Sequence, residues 1–232
     1  MKLVCFPYSG ASGIVYAQWR PYLPSDWALV CIDCPGHGMR SHEALLNNHE
    51  ELVDDLYNTY KDEFLGPLVL FGHSLGALIA FDIARRLLNE GKDLKLLLVS
   101  GRRAPHISSR FPPIHNLDDD TFLKALNDRY GGIPDELFLN KNLREIFIPP
   151  LRADIGISEQ YHPTTQLPLS CPLGAFLAEH DHSVTLEETL PWMCYSQYPQ
   201  NVIAIQGNHI NCITNPISIR AILQVITNTV EF

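Results

Sequence analysis

The sequence predicts an α/β fold in which a mostly parallel central sheet is flanked by helices and interrupted by a helical insertion. Three observations predict it. Short apolar runs at 2–6, 28–32, 67–71, 94–99, 172–177 and 202–205 have the length of buried strands. Helical patterns at 50–64, 77–88 and 216–230 alternate with them, which calls for crossover connections and a sheet covered on both faces. Gly72-His73-Ser74-Leu75-Gly76 joins the third run directly to a helix, the strand–turn–helix context of a nucleophile elbow.

With 232 residues, 46% of them hydrophobic, one domain over 1–232 is expected, with a full core. The net charge of −9 argues against nucleic acid or an anionic membrane as the main partner. A local basic patch is not excluded by that charge: Arg102 and Arg103, with Arg110 nearby, are candidates for one, with plain solvated surface as the bland reading. The run that ends at Pro7 is too short for the core of a signal peptide. The longest uncharged stretch, 66–81, falls short of the ~20 residues of a membrane span. A cytoplasmic protein with no membrane segment is expected. Its six cysteines would be reduced, buried small hydrophobes. Cys31 and Cys34 form the one close pair, and no second pair completes a zinc site.

Taken in order, the opening strand 2–6 runs into Phe6-Pro7-Tyr8-Ser9-Gly10-Ala11, whose glycine lets backbone approach a substrate. The elbow follows the strand 67–71. Gly72 and Gly76 remove side chains that would strike the neighbouring backbone, which leaves Ser74 at the tip of the turn and at a helix N-terminus. The alternation then stops: 103–170 holds no convincing core strand. It reads as a Pro- and Ser-rich opening, a helix over 118–127, a helical patch over 135–143, and a third helix over 151–161 beyond Pro149-Pro150. Such an insertion between sheet strands is expected to form a lid over the site.

A serine needs a base, and the base an orienting carboxylate. In an elbow protein the chain order is Ser, acid, His. His209 follows the strand 202–205 and is the expected base. Asp181 follows the strand 172–177 and is the expected acid. Glu179 is a close alternative acid; Asp154 and Glu187 are weaker ones. His180 and His182 compete as bases, and with Asp181 they are a minimal ligand set, although the serine chemistry needs no metal. The oxyanion donors expected are the backbone N–H of Leu75 and one from the opening loop, at Tyr8 or Ser9. No cofactor is expected.

With these residues in place, the chain resembles the type II thioesterases, stand-alone α/β-hydrolases that serve nonribosomal peptide and polyketide assembly lines. The resemblance runs over nearly the whole chain. It is carried by Leu3-Val4-Cys5-Phe6-Pro7, Trp19, Leu23-Pro24, Pro35-Gly36-His37-Gly38-Met39-Arg40, the elbow through Ala77, Leu151-Arg152-Ala153-Asp154, Cys171-Pro172-Leu173, Asp181, Trp192 and His209. The sequence departs from the family pattern in the opening loop, at Ala178 and at Ile210-Asn211, positions that bear on substrate preference and oxyanion geometry. The resemblance implies the α/β-hydrolase fold and hydrolysis of acyl groups from the phosphopantetheine thiol of an acyl or peptidyl carrier protein. A monomer is expected. A small-molecule carboxylesterase on the same fold and a non-catalytic binding protein with a hydrolase shell are the alternatives.

Overall fold

The computed structural model describes residues 1–230. Six strands, β1 (Lys2–Phe6), β2 (Ala28–Cys31), β3 (Leu68–His73), β4 (Leu94–Ser100), β5 (Leu169–Ala178) and β6 (Ser196–Ile205), form one sheet in the order β2-β1-β3-β4-β5-β6. Every neighbouring pair is parallel. The chain runs from β1 outward to β2, then returns to place β3 on the other side of β1. The crevice beyond the carboxyl ends of β1 and β3 is therefore a topological switch point, where such sheets hold their ligands.

The helices are α1 (His49–Thr59), α2 (Leu75–Asn89), α3 (Asp119–Tyr130), α4 (Asp135–Leu139), α5 (Lys141–Gln160), the single turn α6 (Leu186–Thr189) and α7 (Pro216–Val230). Alternate strand residues feed two cores. Val4, Phe6, Leu68 and Leu70 face α1 and α2. Leu3, Cys5, Val69 and Phe71 face α7 and a 3-10 helix at Gly13–Tyr22, a stretch that has no clear pattern in the sequence. Two polar tips hold that 3-10 helix down. The Tyr16 hydroxyl donates to Phe6 O at 2.8 Å, and Trp19 Nε1 donates to Ile213 O at 2.7 Å.

Several boundaries differ from the sequence reading. The helix expected over 50–64 ends at Thr59, and β5 begins at Leu169, inside the segment expected to hold no core strand. β6 begins at Ser196 rather than 202, because it is the edge strand and its first half is exposed, so no apolar run marks it. Its Pro199 is tolerated at an edge. The patch expected over 135–143 breaks at Asn140, whose side chain accepts from Asn142 and Leu143 N–H and caps α5. Conversely, α5 runs through Pro149-Pro150 instead of starting after them. Prolines there take away the donors that would serve the Glu145 and Ile146 carbonyls. Both of those residues are exposed, so water can serve instead. α3, α4 and α5 enclose a small core of their own around Phe122, Leu126, Leu137 and Ile155. Among the described residues, no helix is long and apolar enough to cross a membrane.

Candidate active site

The end of β3 brings Ser74 to the switch point. Its φ of 55° makes it the one non-glycine residue with positive φ among those described. That conformation is costly for a residue with a Cβ and persists where the surroundings enforce it. The enforcement is steric. A Cβ on Gly72 would lie 2.1 Å from Gly76 O, and one on Gly76 would lie 2.1 Å from Phe6 O. Ser74 N–H donates to Ser100 O at 2.8 Å, which ties the turn to β4.

β5 and β6 deliver the partners. His209 Nε2 lies 3.1 Å from Ser74 Oγ, and His209 Nδ1 lies 2.7 Å from Asp181 Oδ2. A carboxylate only accepts, so Nδ1 carries the proton and Nε2 presents its lone pair to the serine hydroxyl. Asp181 is buried, while Glu179, His180, His182 and Glu187 are exposed. Burial works to raise the Asp181 pKa. The charge of His209 and hydrogen bonds from His209 and Ser183 outweigh it and hold the carboxyl below its usual range.

Two supporting residues are not identified by sequence reasoning. Ser183 donates through N–H and Oγ to Asp181 Oδ1, at 2.8 and 2.5 Å, and its Oγ lies 3.0 Å from His209 Nδ1. Its position two residues past the acid was the available signal. His73 turns away from Ser74, and its Nε2 donates to His209 O at 2.7 Å. Complete burial drives the His73 pKa down to about 3, with the neighbouring His209 adding to the effect, so the ring is neutral.

Leu75 opens α2, so its N–H has no carbonyl four residues back within the helix. In the opening loop, Ala11 N–H donates to Tyr8 O at 3.0 Å around Gly10 at φ +79°, as in a type II turn. Gly10 N–H is taken by Asp154 Oδ2 at 2.7 Å. Tyr8 and Ser9 border the same chamber as Ser74 and His209. That chamber has a volume of about 500 Å³ and is roofed by Leu126, Ile133, Leu137, Leu143, Leu151 and Ile155 of the insertion.

Arg102, Arg103 and Arg110 do not form a basic patch, and Arg102 is not solvated surface either. Arg102 is buried and donates to Ser158 Oγ and O at 2.6 and 2.8 Å, near the carboxyl end of α5. Burial, with Arg103 alongside, lowers its pKa to about 9. Arg103 Nε donates to Ile107 O, and Arg110 is paired with Glu188. The desolvation of Arg102 and the pairing of Arg110 scatter the three charges.

A family model described as "Thioesterase domain" matches residues 1–227. The chain belongs to the thioesterase family. Among curated relatives of this thioesterase, LgrE of Brevibacillus parabrevis, named linear gramicidin dehydrogenase, is 33% identical over 89% of this chain and 80% of its own. Thioesterase PikA5 of Streptomyces venezuelae is 31% identical over 90% of this chain and 74% of its own. Among solved structures, YbtT, described as the type II thioesterase of the yersiniabactin pathway, superposes with a TM-score of 0.88 at 29% identity, covering 99% of this chain and 92% of that one. The architecture is thus the α/β-hydrolase fold of these relatives, and the homologues are type II thioesterases of nonribosomal peptide and polyketide pathways.

Proposed function

We propose that this chain is a serine thioesterase that hydrolyses acyl groups from the phosphopantetheine thiol of carrier proteins in nonribosomal peptide or polyketide synthesis, clearing misprimed or stalled chains or releasing intermediates. The observation that carries this reading is the hydrogen-bonded line Ser74–His209–Asp181 opening on an apolar chamber. In this reading His209 Nε2 takes the Ser74 proton as Oγ attacks the thioester carbonyl carbon. Leu75 N–H and an N–H of Tyr8 or Ser9 stabilise the resulting oxyanion. The C–S bond breaks and the thiol leaves with the proton held by His209. Water then gives a proton to His209 and attacks the acyl-serine ester. Ser74 recovers its proton as the carboxylic acid departs. Asp181 keeps the imidazole in the working tautomer and stabilises its charged form.

The apolar roof supports an uncharged acyl chain as cargo, and we read the segment 103–170 as its lid, part of a single domain over 1–232. Six free cysteines fit a reducing, cytoplasmic setting. The dehydrogenase in the name of LgrE is not carried over. The turn after β1 here is Pro7-Tyr8-Ser9-Gly10 leading to a 3-10 helix, unlike the glycine-rich turn into an α-helix that holds a dinucleotide.

The test is acyl release from loaded carrier proteins, followed by intact-protein mass spectrometry beside matching simple esters. Fast release by wild type, none by Ser74→Ala, and weak ester cleavage are expected. Ester cleavage with an inert carrier would make the protein a carboxylesterase. Turnover by Ser74→Ala would remove the serine mechanism.

A further inference from the structure

Asp154 is a buried carboxylate that the proposed mechanism does not use. It sits on α5, 5% exposed, and faces the opening loop rather than His209. Its Oδ2 accepts the Gly10 N–H at 2.7 Å, and His37 Nε2 lies 3.1 Å from the same oxygen. His37 is itself fixed, because Nδ1 faces Pro35 O at 3.0 Å. A carbonyl only accepts, so Nδ1 carries a proton, and a second proton on Nε2 is what a facing carboxylate favours. Burial opposes the charged ring, but the Asp154 carboxylate beside it outweighs burial and the His37 pKa is raised. A buried carboxylate needs polar partners, and here they are the Gly10 N–H and the facing His37 ring.

What the pair grips is informative. Gly10 occupies the positive-φ corner of the turn Tyr8–Ala11, and a Cβ there would lie 2.7 Å from Leu151 Cδ1. In a turn of this type the corner peptide has two orientations that differ by a flip. A fixed acceptor on the Gly10 N–H selects one of them. The peptide units of Tyr8 and Ser9 lie immediately before that corner, and Phe6 O and Pro7 O pack against Gly76 of the elbow. The Gly10 anchor therefore fixes the far end of the segment that carries the N–H groups of Tyr8 and Ser9.

We propose that Asp154, faced by His37, is a positioning residue for the oxyanion loop: by holding the Gly10 N–H it locks the opening turn with its donor aimed at the developing oxyanion, and it makes α5 of the insertion part of the transition-state machinery. The inference rests on the thioesterase reading above, in which the opening loop supplies an oxyanion donor. It differs from a packing role in one respect. A locked donor matters to a tetrahedral species and hardly to a planar one.

The experiment compares Asp154→Ala, Asp154→Ser and Asp154→Asn with wild type. For each, kcat and KM on a loaded carrier are measured with the affinity for an alkylboronic acid, which forms a tetrahedral adduct on serine, and for the matching alkanoate product, which stays planar. Asp154→Ser guards against a misfolded alanine variant, since its hydroxyl is too short to reach Gly10 but suits a buried polar site. Ala and Ser are expected to lower kcat roughly 10- to 100-fold, with KM changed less than about threefold. Boronate binding should weaken by the same factor while alkanoate binding holds. Asn, which still offers an acceptor to Gly10, should recover most of the loss. Wild-type kcat in Asp154→Ser would overturn the proposal. So would a loss carried by KM and shared equally by boronate and alkanoate, which would make Asp154 a wall of the chamber. Ser74→Ala, run alongside, separates this from the parent reading: turnover there would sink the serine mechanism whatever the Asp154 series shows.

Discussion

β3 and the segment between β4 and β5 meet at one chamber but are built under opposite constraints. All six residues of β3 are buried, and the turn after it leaves no room for a methyl group at Gly72 or Gly76. The insertion has its own small core, carries two prolines inside α5, and exposes Leu139 and Ile146. The first region holds one geometry by crowding on every side. The second is held to the rest by the buried end of α5, where Ile157 and Tyr161 join the main core, and by Asp154 on the opening loop and Ser158 on Arg102. In the proposed reading, the nucleophile sits on the crowded part and the acyl chain is received by the insertion.

The sharpest way to break this comparison is chemical. His209→Ala should lower turnover on a loaded carrier by about 10³-fold or more, with an unchanged circular dichroism spectrum. A loss under tenfold would mean the site does not work through this base.

Gly76→Ala tests crowding directly. Its methyl would meet the Phe6 carbonyl, and a cost of about 3 kcal/mol or more is expected in denaturant unfolding, above the usual range for overpacking because the obstacle is backbone. A cost under about 1 kcal/mol would show that the elbow gives way.

His73 makes the crowding visible in pH. Its folded pKa is depressed to about 3, whereas an unfolded histidine titrates near 6.5. Between those values the unfolded chain binds a proton that the folded chain refuses. Stability should therefore fall as pH drops below about 6.5, by up to about 1.4 kcal/mol per unit from this group. His73→Gln retains a donor for His209 O and should flatten that slope between about pH 6.5 and 4.5. Parallel curves for the two proteins would show that His73 is not the source.

The smallest effect belongs to the insertion's edge. Leu139→Asp, at a residue 87% exposed, should change stability by less than about 0.5 kcal/mol. Leu70→Ala in β3 should cost about 2–5 kcal/mol. If Leu139→Asp destabilised as much as Leu70→Ala, the two regions would not differ in the way described.

Much of this site was legible before folding. Gly72-x-Ser74-x-Gly76 between an apolar run and a helix announces itself, because the steric demand of the elbow is met by residues within five positions. Asp181 and His209 were legible through chain order, since each follows a strand of the parallel sheet. The start of β6 was not, because an edge strand has no need of apolar residues on its open side. Nor was the continuity of α5, where exposed carbonyls make a proline pair tolerable. Among neighbouring carboxylates the sequence left Glu179 open beside Asp181. Burial beside His209 is what distinguishes the two, and burial is a property of the folded sheet.

Local sequence was enough to define the alternation of strands and helices along the chain, the turn at Ser74 and the chain order of its candidate partners, because those follow from short-range sterics and from the parallel winding of strand and helix. Folding alone decided which histidine backs the His209 carbonyl, and that Asp154 grips a loop 144 positions away. Those are contacts between segments distant in the chain, and their partners are chosen by three-dimensional packing that no local pattern encodes.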